Sequence, residues 1–149
     1  MVYIWEFEFF ESNGMVDAFP CGDLGYGATY GENLQEAVEM AADFLMAVVD
    51  DHLMNGVALP PMEFGHTPER GGQIIAIAVS HKLDDIPAMT ASDAARELGV
   101  TRARVSQLIR AGLLDSWKDG TRRMVSRASV EARKEVDPKP GRPCSSEAV

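Results

Sequence analysis

The sequence predicts an α+β chain: a β-β-β-α-β unit followed by a small helical unit that ends in a hairpin and a last helix. Three observations lead there. The opening VYIWEFEFF alternates apolar and acidic residues with a period of two, Leu34 to Leu53 repeats apolar residues at helical spacing, and Thr90 to Leu114 holds two short capped helices around a glycine. Formal charge divides the chain at the same place. Residues 1–87 hold 15 acidic and 2 basic side chains, a charge of −13, whereas residues 88–149 hold 8 acidic and 12 basic ones, a charge of +4. The first half repels nucleic acid and the second attracts it, so the halves are expected to do different jobs. A length of 149 residues suits one ordinary domain or two small ones, and 46% hydrophobic with 25% charged side chains marks the chain as globular rather than disordered.

In the first strand Tyr3, Trp5, Phe7 and Phe9 share one face, which covers a core, while Glu6 and Glu8 point to the other and are expected to be solvated. Asn13-Gly14 is the residue pair that most readily takes the positive φ angles of a tight hairpin, making Met15–Phe19 the return strand. The glycine-rich CGDLGYGATYG is expected to hold a loop and a short third strand around Ala28–Tyr30. Asn33 caps the helix that follows, with Glu36 as capping-box partner. Its inner side is read as Leu34, Val38, Ala41, Leu45, Val48 and His52 or Leu53, with Gln35, Glu36, Glu39, Asp43 and Asp50 in water and its methionines filling core. Asn55-Gly56 stops it and Pro60-Pro61 forbids continuation. QIIAIAVS, nearly continuously apolar, is expected to be a central strand buried on both faces.

Nothing in this half points to catalysis. His52, His66 and His81 are scattered, and no serine or cysteine carries a nucleophile signature. A metal-dependent nuclease would draw on Glu6 and Glu8 with Asp17, but two-metal sites need carboxylates converging from several elements. Glutamates on an exposed sheet face are more often simply hydrated, so no catalytic residue, metal or cofactor is assigned. Cys21 and Cys144 lie far apart without metal-ligand spacing and are read as reduced thiols. No apolar run approaches the ~20 residues that span a bilayer, and MVYIWEFEFFE lacks a basic leader and a cleavage site, so a cytoplasmic location is expected.

The run FPCGDLGYGATYGENLQEAVEMAADFLMAVVDDHLMNGVALPP resembles the HicB antitoxin pattern. A strand ending in Phe19-Pro20 leads through a glycine-rich loop to the helix start Thr29-Tyr30-Gly31-Glu32-Asn33-Leu34-Gln35-Glu36-Ala37, and a long acidic helix closes on Gly, Leu and Pro. Asn33 stands where the family often has threonine, and the loop CGDLGYG departs from the family's usual form, so no toxin-contact residue is carried across. The resemblance covers roughly residues 1–80. It implies a degraded RNase H-like fold without catalytic carboxylates, and a partner: a small basic messenger-RNA-cutting toxin of the HicA type. A domain at −13 is a suitable cover for a cationic RNA-gripping surface, because complementary potentials speed encounter and fix orientation.

In the second half, HKLDDIPAM reads as a polar connector containing Pro87. Thr90 caps a helix with Asp93 three residues on, its inner side being Ala94, Ala95 and Leu98, and Gly99 makes the turn. Thr101 caps the next helix, with Val105, Leu108 and Ile109 inward. Small residues at the inner positions let two helices cross closely, the geometry of a helix-turn-helix. Projected at helical spacing, Ala103, Ser106, Gln107 and Arg110 face outward and Arg102 and Arg104 sit on the shoulders near the N-terminal end, which enters the major groove in such proteins. Gln107 suits an adenine edge, an arginine suits guanine, and Arg110 suits phosphate. Asp119-Gly120 is read as the turn of a hairpin carrying Lys118, Arg122 and Arg123 towards phosphates or a minor groove, and Ser126 and Ser129 start a last helix through Glu135.

The pattern from Thr90 to Leu114 resembles the winged helix-turn-helix of MerR and excisionase regulators. The expected organisation is therefore a HicB-like toxin-binding domain at 1–80, a linker at 81–89, a winged helix-turn-helix at 90–136 and a disordered tail at 137–149. The combined expectation is an antitoxin that neutralises a HicA-type toxin and represses its own operon as a homodimer or higher homo-oligomer on double-stranded operator DNA. The alternative is a stand-alone transcription regulator whose acidic domain dimerises or senses a ligand.

Overall fold

A computed structural model describes residues 1–25 and 27–136. The tail at 137–149, expected to be disordered, and Cys144 within it lie outside the described residues. The chain divides into two compact units, one of Met1–Asp85 and one beginning at Ile86.

The first unit contains β1 (Val2–Ser12), β2 (Met15–Pro20), β3 (Thr29–Gly31), α1 (Leu34–Asn55) and β4 (Gln73–Ser80), with one 3-10 turn at Leu83–Asp85. Its sheet has the order β3-β2-β1-β4 and every pairing is antiparallel. The β1–β2 hairpin closes as its sequence requires: Ser12 pairs with Met15, and Asn13 and Gly14 take φ of 53° and 79°. Asn33 caps α1 by accepting the Glu36 N–H at 2.9 Å, and Gly56 ends it in the left-handed conformation.

The core lies between the sheet and α1, with Trp5, Phe7, Phe9, Ile77 and Val79 packed against Ala37, Ala41, Leu45 and Val49. The buried stripe of α1 is thus turned by about one position from that read in the sequence. Leu34 and Met40 are exposed, and Val38 and Val48 sit at the margin. The small residues face inward because β3 comes very close there: a Cβ on Gly31 would stand 2.4 Å from the Ala37 nitrogen. Asp50 is not on a wet face either; it is half-buried, with His81 Nε2 3.0 Å away.

β4 is an edge strand, not the expected central one, and pairs only with β1 among the described residues. The apolar look of QIIAIAVS misled because Ala76 and Ala78 are small enough to stand exposed on its outer side, while Ile77 and Val79 enter the core. The centre belongs to β1.

Glu6 and Glu8, expected in water, are buried beneath the segment that returns from α1 to β4. The Glu8 carboxylate accepts backbone N–H groups from Glu69 at 2.9 Å, Arg70 at 2.8 Å and Gly72 at 3.1 Å. Arg70 approaches it to 3.8 Å and lies 4.3 Å from the centre of the Phe19 ring. Glu6 accepts the His66 backbone N–H at 3.4 Å and faces His66 Nδ1 at 3.2 Å. A loop without secondary structure must satisfy its donors somewhere, and here two carboxylates do so. Burial pushes the Glu8 carboxyl upward, but the three N–H donors and the Arg70 charge outweigh it and hold the group below its ordinary value of 4.5. Glu6 follows the same pattern, with burial opposed by the His66 contacts.

The second unit contains β5 (Ala88–Thr90), α2 (Ala91–Leu98), α3 (Arg102–Arg110), β6 (Ser116–Asp119), β7 (Arg122–Ser126) and α4 (Arg127–Glu135), with a sheet of order β5-β7-β6. The expected polar connector at 81–89 is therefore shorter than its composition implied. Ile86 and Met89 are buried, and β5 pairs with β7 as a third strand. The core gathers Met89, Ala94, Ala95, Val105, Leu108, Leu114, Val125 and Val130.

Replacing Glu8 with alanine is expected to lower the thermal midpoint by at least about 5 °C, since three backbone donors lose their acceptor together. Because folding depresses this carboxyl, its stabilisation is present above about pH 4.5 and is lost as pH falls below it. Midpoints measured from pH 7 down to about 3 should fall more shallowly in Glu8→Gln than in the parent.

Candidate nucleic-acid interface

Two caps and one turn set the relation between α2 and α3. Thr90 Oγ1 accepts the Asp93 N–H at 3.2 Å and starts α2. At its other end Gly99 has φ of 65°, the Gly99 N–H reaches the Arg96 carbonyl, and the Val100 N–H reaches that of Ala95 at 3.0 Å. This paired closure turns the chain sharply. Thr101 Oγ1 then accepts the Arg104 N–H at 3.1 Å and starts α3 only two residues after the glycine. Ala94 and Ala95 are buried where bulkier residues would hold the helices apart, and Val105 and Leu108 enter the same core.

The other face of α3 is open. Arg102, Ala103, Arg104, Ser106, Gln107 and Arg110 are all exposed. Arg104 Nη1 donates to Gln107 Oε1 at 3.2 Å, so the structure joins two of these residues one helical turn apart. Helical spacing alone does not foretell that bond. It takes one of the two lone pairs of that oxygen and leaves the Gln107 NH2 free to donate, so Gln107 keeps the donor and acceptor that a bidentate contact to adenine uses while Arg104 holds its orientation. Among the described residues none of Arg102, Arg104 and Arg110 lies within 4.0 Å of a carboxylate, whereas Arg96 on α2 is held by Asp93 at 3.0 Å.

In the hairpin Asp119 pairs with Arg122, so the two loop residues are Gly120 and Thr121, one position beyond the expected Asp119-Gly120. Gly120 carries a φ of 61° at the first loop position, which sets the turn. Lys118 stands opposite Arg123, and Arg123 Nη1 donates to Ser116 Oγ at 3.4 Å. Lys118, Arg122 and Arg123 are exposed, while Trp117 and Val125 fix the hairpin base in the core.

Two supports went unnoticed in the sequence. Lys134 on α4 bonds Glu97 on α2, and that hydrogen bond draws the Glu97 carboxyl down and the Lys134 ammonium up from their ordinary values. The other is a bond made by Ser129: Ser126 caps α4 as expected, accepting the Ser129 N–H, but Ser129 Oγ also accepts the Asp115 N–H at 3.1 Å and so ties the start of the hairpin to α4.

Residues 88–135 match the family model described as a helix-turn-helix domain. The matched stretch begins in β5 and ends with α4, so it takes in the hairpin as well as the helix pair. Neither the curated proteins nor the solved structures compared with the chain gave a match. The second unit is a helix-turn-helix domain, a type of module that binds DNA.

Thr101→Ala removes the cap of α3 and should cost about 1 kcal/mol of stability in the second unit, measured by denaturant titration of the full chain. Thr101→Ser, which keeps the acceptor, should restore most of it.

Proposed function

We propose that the chain is an antitoxin of the HicB type: its second unit binds the operator of its own operon and represses it, and its first unit covers a HicA-type RNA-cleaving toxin. The observation that carries this reading is the pairing of two opposite surfaces on one polypeptide. A helix-turn-helix presents Arg102, Arg104, Gln107 and Arg110 free of carboxylates, and the preceding 87 residues carry a charge of −13. In this reading Arg102, Ala103, Arg104, Ser106 and Gln107 face base edges, and Arg110, Lys118, Arg122 and Arg123 face phosphates. A single module of this size neutralises few phosphates, so a homodimer on two half-sites belongs to the proposal. A cytoplasmic location goes with it; among the described residues no helix is long and apolar enough to cross a membrane.

The first unit is read as a binding module and not as an enzyme. What supports this is the engagement of the two candidate carboxylates: Glu8 holds three backbone donors and Glu6 holds His66. The degraded RNase H-like reading rests on the β-β-β-α-β order with α1 over one face.

A second reading, a stand-alone regulator that senses a ligand or dimerises through its acidic unit, draws on one specific feature. An apolar groove of about 480 Å³ lies between β1 and the second half of α1, lined among others by Tyr3, Trp5, Leu53 and Leu59. Co-expression with the product of the adjoining gene separates the two. The antitoxin reading expects that product to arrest growth alone and to form a complex of defined mass with this chain. Neither arrest nor complex would favour the regulator.

For the DNA side, Arg102→Ala or Gln107→Ala should relax preference at one base pair, at about 1–3 kcal/mol. Arg123→Ala should weaken binding to all duplexes alike and lower the salt slope by about one unit. Fluorescence titrations across a salt series distinguish these outcomes.

A further inference from the structure

The sheet of the first unit has a gap along its central strand. β4 accompanies β1 over Val2–Phe9, but β2 accompanies it only over Phe7–Ser12. On the β2 side, Val2–Glu6 therefore have no strand beside them among the described residues. The Glu6 carbonyl is taken there by the Cys21 N–H at 2.9 Å, and the Ile4 N–H meets the sulfur of Met62 at 3.2 Å. A thioether is a weak acceptor, so this amide is poorly served. The segment passing nearby includes Pro60 and Pro61, which have no N–H to offer and cannot extend the ladder.

Behind this edge lies the apolar groove of about 480 Å³, where Trp5, Leu53, Leu59 and Met62 line a trough open beside the strand. Met1, Val2, Val57 and Met62 around it are exposed. An unpaired strand edge next to an apolar trough holds both parts of a strand-addition site: main-chain bonds give affinity, and the trough receives alternate side chains.

We propose that Val2–Glu6 and this groove dock an extended segment of a cationic partner protein, which adds as a strand beside β1 and sets alternate apolar side chains against Trp5, Leu53 and Leu59. Charge selects the occupant. Residues 1–87 carry −13 with Arg70 and Lys82 as their only cations, so a second copy of this unit is repelled and a basic chain is attracted. A small apolar ligand fills the trough but leaves the Ile4 amide with its sulfur. The nature of the partner rests on the toxin-binding reading; the location does not.

The test uses the full chain and synthetic peptides of about eight residues in which valine alternates with lysine. Calorimetry gives affinity, and hydrogen exchange reads the Ile4 amide. The lysine peptide is expected to bind and to protect that amide. Replacing its lysines with glutamates, or methylating alternate backbone nitrogens in either register, should weaken binding about tenfold or more. Leu59→Asp should weaken it to a similar degree. Met62→Ala, at an exposed side chain, should tighten it by freeing the Ile4 N–H. Binding indifferent to backbone methylation and to both substitutions would be general charge attraction and would overturn the site. A co-expressed toxin held equally well by Leu59→Asp would overturn the site alone, whereas the absence of any cationic partner for the full chain would overturn the toxin-binding reading.

Discussion

Close approach between backbones, permitted where side chains are small, is the constraint on which both units depend. In the first, Gly31 lets β3 touch the start of α1, and Ala37 and Ala41 continue that contact along the helix. Aromatic side chains from β1 then fill the space further out, with Phe7 and Phe9 fully enclosed. In the second, Ala94 and Ala95 with the left-handed Gly99 bring α2 against α3. A larger side chain at Gly31, Ala37, Ala41 or Ala94 must displace a neighbouring element, because packed interiors leave little free volume, whereas at Gly99 the left-handed φ and not space favours glycine.

What each unit shows to its surroundings follows from how its charges are employed. The buried carboxylates of Glu6 and Glu8 are inward-facing anchors for the segment from His66 to Gly72. The acidic side chains along α1, such as Glu36, Glu39 and Asp43, remain exposed and give the unit its anionic face. In the second unit the ion pairs are structural: Lys134 with Glu97 links two helices, and Arg96 with Asp93 lies along α2. The cations of α3 and the hairpin tip are left out of these pairs. A surface whose arginines have no carboxylate partner among the described residues is prepared to meet external anions.

Much of this was legible in the sequence because the relevant signals are local. The period-two aromatics of β1, the Asn13-Gly14 turn, the caps at Asn33, Thr90 and Thr101 and the glycines that end α1 and α2 each act within a few residues, and the structure shows each of them. The outward face of α3 was readable for the same reason. What escaped depends on distant segments. Burial of Glu8 requires a loop more than sixty residues away, and the edge position of β4 depends on which strand claims the centre of the sheet. β5 was hidden because three residues beside a proline carry no periodicity, and only pairing with β7 makes them a strand. The Arg104–Gln107 bond lies within one helix, yet it depends on rotamers that spacing alone does not fix.

The proposed function stands or falls on whether the cationic face of the second unit reads a particular duplex although the chain as a whole is acidic. Its most direct test is a competition titration of the full-length protein, at low and at physiological ionic strength, between the duplex upstream of its own gene and an unrelated duplex of equal length. The upstream duplex should bind tighter by a factor of at least about 10³, with both affinities falling as salt rises. Equal affinity for the two duplexes, or no binding to either at low salt, would contradict the proposed function.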